Sequence, residues 1–223
     1  IEGLLVSLSK ETRDFSHFRN LSKKNIPVVF FDRICEELES DHVIVNDYKG
    51  AYEAVEHLVK LGCRRIAHLA TTQDLLIGRN RYNGYIDALK DNKLAIDERL
   101  IVRCDTHKAA RLVTKRLIYE LHPPDGIFAV NDLTAIGALQ TIKENGLRIP
   151  EDIKVIGFSN GIYSTMTDPP LTTVEQFGYQ MGQKAARMVL DRILSRENYP
   201  PRIEEIETQL IIRESTVKRR PPL

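Results

Sequence analysis

Five apolar runs in this sequence stop at side chains that form hydrogen bonds. The run at 3 to 6 meets Ser7, the run at 27 to 31 meets Asp32 and Arg33, and the run at 65 to 70 meets Thr71, Thr72, Gln73 and Asp74. The runs at 126 to 130 and 154 to 158 meet Asn131 with Asp132, and Ser159 with Asn160. Hydroxyls and amides give and accept hydrogen bonds, carboxylates accept them, and Arg81 adds a planar fork of donors near the start of a helical stretch. Any one of these residues also reads as the cap of a helix that follows a strand, and Asp132 before LTAIGAL fits that pattern. Taken together with Arg81, the five ends describe a site for a polar ligand.

Residues suited to other chemistries are not arranged for it. The histidines at 17, 42, 57, 68, 107 and 122 lack metal-ligand spacing, and none stands with a serine or cysteine in a nucleophilic arrangement. His57 and His68 read as satisfied structural groups. Cysteines 35, 63 and 104 are odd in number and lack a C-x-x-C pair, which argues against a disulfide framework and a zinc site; Cys63 and Cys104 read as small core residues. No glycine-rich phosphate motif follows a strand-like run. No catalytic residue, metal or cofactor is expected. Lys and Arg total 32 against 31 Asp and Glu, a net charge of +1, so the composition advertises neither a nucleic-acid surface nor a membrane surface. No apolar run approaches the roughly 20 residues that span a bilayer, and the first residues lack the order of a signal peptide, so a cytoplasmic protein is expected.

The elements that must position these groups alternate. Strand-like runs at 3 to 8, 27 to 31, 65 to 70, 126 to 130 and 154 to 158 are interleaved with segments of helical period at 15 to 24, 47 to 61, 80 to 91, 108 to 121, 132 to 145 and 178 to 195. This is the pattern of an α/β fold with a parallel, doubly wound sheet. In the helix at 47 to 61, Asn46 or Asp47 can cap the start, Ala51, Val55, Leu58 and Val59 share one face, and Gly62 ends it. Open sheets of this kind bind ligands beyond the carboxyl ends of their strands, where the polar residues stand.

Seven stretches then occur in a particular order and spacing: IPVVFFDR (26 to 33), VNDYKGAYEAVEHLVKLGCRRIAHLA (45 to 70), RYNGYIDAL (81 to 89), VNDLTAIGAL (130 to 139), GLRIPEDIKVIGFSN (146 to 160), DPPLTTVEQ (168 to 176) and LIIREST (210 to 216). In these the chain resembles the LacI/GalR family of bacterial transcription regulators, over essentially its whole length. The resemblance implies two doubly wound parallel-sheet lobes of the periplasmic-binding-protein-like type, joined by three crossovers, with an effector in the cleft between them. The crossovers are expected near 45 to 46, 172 to 176 and 199 to 205. That gives a first lobe of 1–46 plus 177–199, a second of 47–176 plus 200–216, and a tail at 217–223. With clear strands only at 3 to 8 and 27 to 31, the first lobe reads as incomplete at its N-terminus and residue 1 as a cut. Family members begin with a helix-turn-helix headpiece that reads operator DNA, and a core of net charge +1 is not expected to bind operator with specificity by itself.

The resemblance places Ser7, Asp32, Arg81 and Asn131 at a small-molecule effector, a sugar or sugar derivative, with Arg81 in the family's R-x-x-G-[YFW] pattern. Two positions depart from it. Ser159 stands where many members carry an aspartate, and Thr106 stands where several carry an aromatic platform, which points to an effector other than the usual hexose. Arg79 reads as directed to solvent or a neighbouring loop, and Phe177 either as a ligand platform or as core. The basic VKRRPP reads as a solvated tail. A homodimer is also implied, with Ile136, Gln140 and Lys143 on one stripe and Ile162, Tyr163 and Met166 in a loop meeting their symmetry mates. Competing readings are a sugar carrier of the same two-lobed design and a nucleotide-dependent enzyme. IPEDIKVIGF and PPLTT favour the regulator, and the missing phosphate loop argues against the enzyme.

Overall fold

A computed structural model describes residues 1–195 and 200–218 of the chain. In chain order the first elements are β1 (Leu4–Val6), α1 (Ser16–Lys23), β2 (Val28–Phe31), β3 (Asp41–Val45), α2 (Asp47–Lys60), β4 (Ile66–Ala70), α3 (Leu76–Asp91) and β5 (Ile101–Arg103). They are followed by α4 (His107–Ile118), β6 (Gly126–Ala129), α5 (Asp132–Glu144), β7 (Lys154–Ser159), β8 (Thr172–Glu175), α6 (Gly178–Leu194), β9 (Ile203–Ile206) and β10 (Gln209–Ile211). The chain divides into two compact units. Unit 1 is Ile1–Asn46, Leu75–Ile77 and Phe177–Glu207; unit 2 is Asp47–Asp74, Gly78–Gln176 and Thr208–Leu223, of which residues up to 218 are described.

Unit 1 is a parallel sheet in the order β1-β2-β3-β9. Side chains alternate across it, as the period of two requires. Val29, Val43 and Ile206 pack against Met181, Ala185, Met188 and Val189 of α6, while Phe30 turns to the other face and meets Phe18 of α1 edge to face. Two expectations are corrected here. The strand count was too low, because DHVIV is β3: it pairs with β2 on one side and β9 on the other, and Val43 and Val45 are buried. Its apolar run is too short to stand out without those neighbours. The last crossover was also placed too early. Ile203–Ile206 bonds to β3 and belongs to unit 1, and the passage to unit 2 falls between Glu207 and Thr208. Tyr199, where that crossover was expected to begin, lies outside the described residues. The opening run forms the edge strand β1, with Leu5 38% exposed.

A charged clamp fixes β3 to β9 and α6. Asp41, buried at the start of β3, accepts bonds from Arg192 Nε and Nη2 of α6, each at 2.6 Å, and from the Arg202 N–H at 2.8 Å. Burial raises its carboxyl, but these donors more than offset that and hold it below the usual aspartate value.

Unit 2 is a sheet in the order β10-β8-β7-β6-β4-β5, parallel except for the antiparallel β10. Helices α2 and α3 cover one face around Leu58, Tyr85, Phe128 and Phe158, and α4 and α5 cover the other around Leu69, Leu117, Ile127 and Ile142. Both faces are therefore dry, which is why the central strands read as unbroken apolar runs. Burying each such side chain contributes about 1.5–3 kcal/mol. Gly84 allows α3 to approach α2 closely: a Cβ there would lie 2.4 Å from the Tyr48 carbonyl oxygen. Helix α3 begins at Leu76, earlier than its apolar period suggested, and Arg81 therefore sits in its second turn. Among the described residues no helix is long and apolar enough to cross a membrane.

Candidate functional site

The carboxyl edge of the unit 2 sheet gathers Arg81, Asn131, Ser159 and Thr106 of the residues that the sequence singled out. Arg81 is brought there by α3 and is 3% exposed. Its Nε and Nη2 donate to Asp47 Oδ1 at 2.8 and 2.7 Å, Nη1 donates to the Val130 carbonyl at the end of β6, and the guanidinium carbon lies 3.7 Å from the centre of the Phe158 ring. Three of its five N–H groups are thus used by the protein, leaving one on Nη1 and one on Nη2 outside those bonds. Asp47, the first residue of α2, is 2% exposed. A buried charge needs such a partner, since desolvation would otherwise favour its neutral form.

Asn131 follows β6 after Val130. Its Oδ1 accepts the Thr134 N–H at 2.9 Å and its Nδ2 donates to the Asp105 carbonyl at 3.3 Å. It is therefore Asn131 that caps α5, and the expectation that Asp132 does so is corrected. Asp132 turns inward instead, accepting from Thr173 Oγ1 and from the Gly161 N–H. Burial raises its carboxyl against the pull of these donors. It reaches them because residue 157 is glycine: a Cβ there would stand 2.4 Å from Asp132 Oδ1.

Ser159 and Asn160 end β7 with φ of 126° and 52°, left-handed backbone that costs about 1–3 kcal/mol for a residue other than glycine. The turn is held by Asn160, whose Nδ2 donates to Glu175 Oε2 at 2.6 Å and whose Oδ1 accepts from Arg213 Nη2 at 2.7 Å. Beyond β5, Thr71 Oγ1 donates to Asp105 Oδ2 at 2.7 Å. Thr106 is exposed and caps α4 through the Ala109 N–H. Arg79 donates to the Gln73 carbonyl in the neighbouring loop, as its reading expected.

In unit 1, Ser7 and Asp32 stand at the carboxyl ends of β1 and β2. Ser7 Oγ is buried without a hydrogen-bond partner. Asp32 has φ of 59° and lies 3.8 Å from Arg33 Nε. Phe177 packs against the α6 core of the same unit. The structure thus groups Arg81, Asn131, Ser159 and Thr106 on the unit 2 edge, and Ser7 with Asp32 on the unit 1 edge.

Several other titratable groups have structural roles. His68 stacks between Tyr85 and Phe128 and bonds through Nδ1 to the Phe128 carbonyl; burial lowers it to about 4. Burial pushes the Cys63 and Cys104 thiols up to about 12. His57 meets Thr216 Oγ1 at 3.2 Å. Among the described residues no group of three or more His, Cys, Asp or Glu could hold a metal ion. Sequence reading missed Asp47, Asp105 and Glu175 as parts of this edge. Asp47 offered one signal, an acid placed directly after a strand-like VIVN, but nothing local pairs it with Arg81, 34 positions away.

Residues 55–216 match the model of the periplasmic binding protein-like domain. The chain is 32% identical over 219 residues to the transcriptional repressor CytR of Escherichia coli K12, covering 97% of this chain and 63% of that protein. It thus spans less than two thirds of the length of that curated relative. Among solved structures, the complex of the transcriptional regulator CelR with cellobiose is 31% identical with a TM-score of 0.88, covering 96% of this chain and 66% of that one. A regulatory protein of the LacI family from Chloroflexus aggregans is 30% identical with a TM-score of 0.86, covering 97% and 77%.

Proposed function

The chain belongs to the periplasmic binding protein-like domain family, among the LacI-type regulators, and from that premise we propose that it is the effector-sensing core of a transcription repressor. The observation that carries the reading is the Arg81 fork, set beside Asn131 and Ser159 on one sheet edge with two N–H groups beyond its protein bonds. Two such donors, with the hydroxyl of Ser159 and the carboxylates of Asp105 and Glu175, suit adjacent hydroxyls of a sugar or nucleoside. The effector is a hydroxyl-rich small molecule that contacts Arg81, Asn131, Ser159 and Thr106 of unit 2. CytR and CelR are a repressor and a regulator, which supports regulation over the sugar-carrier alternative. DNA recognition belongs to a headpiece outside this chain, and the protein works in the cytoplasm.

The working form is a homodimer. Leu133, Ile136, Leu139, Gln140 and Lys143 of α5 line a groove with Tyr163 and Met166, and these last two are 61% and 68% exposed. A second copy covering that groove removes apolar surface that a monomer leaves wet.

The test is a thermal-shift and calorimetric screen of the full-length protein against cellobiose, ribose, adenosine and glucose, followed by gel shifts with and without the hit. A ligand that binds only the folded state raises the melting temperature by mass action. Stabilisation by one of them together with altered operator affinity is expected, and stabilisation by none overturns the reading. Sedimentation at micromolar concentration should give a dimer, and Tyr163→Asp should shift it toward monomer.

A further inference from the structure

We infer that Asp47 is a specificity-determining residue that makes the Arg81 site select neutral effectors over their phosphorylated or acidic counterparts. The inference rests on the proposed effector site and adds the charge class of its ligand. A guanidinium at the end of a buried strand would ordinarily attract an anion. Here the cation is already matched: Asp47 Oδ1 takes the whole Nε–Nη2 edge of Arg81, at 2.8 and 2.7 Å, with both side chains at most 4% exposed. The two groups form a pair of zero net charge in a medium where charges are poorly screened. What remains for a ligand is the hydrogen-bonding capacity of two N–H groups without an uncompensated positive charge behind it.

The rest of the edge has the same sense. Asp105 and Glu175 bring carboxylates there, and buried Asp132 stands behind Ser159 and Asn160. Asn131, Ser159 and Thr106 are uncharged; Arg79 and Arg213 also bring cations near this edge, Arg79 donating to the Gln73 carbonyl and Arg213 to Asn160 Oδ1, Ser164 Oγ and the Leu171 carbonyl, so the carboxylates still outnumber the cations left unmatched. A phosphate entering this setting would shed water to meet carboxylates, while a hydroxyl donates to those same oxygens and accepts from the Arg81 N–H groups. Asp47 does this by fixing the charge and orientation of Arg81, so it acts as a positioning residue.

The experiment compares the full-length protein with Asp47→Asn, by calorimetry on the pairs ribose and ribose 5-phosphate, glucose and glucose 6-phosphate, and adenosine and its monophosphate. Competition against the neutral member confirms a shared site. The natural protein should bind the neutral member of one pair at least tenfold more tightly than its phosphate. D47N should narrow that ratio at least tenfold, the narrowing should fade with added salt, and D47N combined with Arg81→Gln should restore it. A phosphate bound more tightly than its neutral partner by the natural protein overturns the inference while leaving the effector site in place. So does a D47N protein that binds the neutral member with the ratio unchanged. Binding of no member by the natural protein removes the effector site itself, and the inference with it. If D47N does not fold, Arg81→Gln alone should widen the ratio, and an unchanged ratio there is equally fatal.

Discussion

The two units solve the same problem with unequal resources. Unit 2 has six strands and helices on both faces, and its carboxyl-edge groups are tied into the protein: Arg81 to Asp47 and Val130, Asn131 to Thr134 and Asp105, and Asn160 to Glu175 and Arg213. Unit 1 has four strands and a half-exposed edge, and the corresponding side chains make fewer bonds to the protein. Ser7 Oγ has no partner, and Asp32 meets Arg33 only at 3.8 Å. Preorganised donors lose little entropy when a ligand arrives, whereas unanchored ones must be ordered by it. On that principle the carboxyl edge of unit 2 is the preorganised one of the two.

The strongest way to break this comparison is to remove the clamp on which unit 1 depends. Arg192→Ala leaves Asp41 buried without its charged partner, and loss of one member of such a pair costs about 3–5 kcal/mol. Amide exchange should show β3 losing protection while β6 keeps it, since units with separate cores need not unfold together. Equal loss in both strands would mean that the units share one cooperative transition. The same carboxylate gives a pH dependence: with its folded value depressed, its contribution is present above the unfolded value and is lost as pH falls through the folded one.

Unit 2 has its own titration signature, of slightly smaller size. His68 is lowered from 6.5 to about 4, so the unfolded chain binds the proton first and stability falls as pH drops across that window. The full loss is about 3 kcal/mol, reached near pH 4. Denaturation at pH 7 and pH 4.5, with β6 amides as the probe, should show it, and His68→Gln should flatten the slope while lowering stability at neutral pH through lost stacking. A pH-independent β6 would contradict the burial of this imidazole.

The smallest effects sharpen the recognition side. Arg81→Ala should weaken effector binding by about 2 kcal/mol, the scale of a charged hydrogen bond, and should also leave Asp47 without its cation. Ser159→Asp should change affinity by about 1 kcal/mol and alter which sugars bind. Asp32→Asn in unit 1 should move affinity less than either, and calorimetry on one ligand series ranks all three. A larger loss at Asp32 than at Arg81 would contradict the role proposed for the Arg81 fork.

The amino-acid sequence determined the α/β alternation, the polar strand ends and the arginine ahead of Gly84, because these are set by patterns within about 15 residues. The face of α2 carrying Ala51, Val55 and Leu58 was legible for that reason, and all three are buried. Strands β3 and β9 were not, because DHVIV is a short run completed on its second side, and IEEI is paired at all, only by a contact across more than 150 positions; Asp41 and Arg192 are 151 positions apart. The same distance rule governs the site. Sequence could nominate Arg81 but not its pairing with Asp47, and it could find two polar residues after β6 without telling which would cap α5. Asn131 took that role and Asp132 turned inward because Thr173 and the Gly161 N–H offered a buried carboxylate its donors, and only the packed sheet brings those donors within reach.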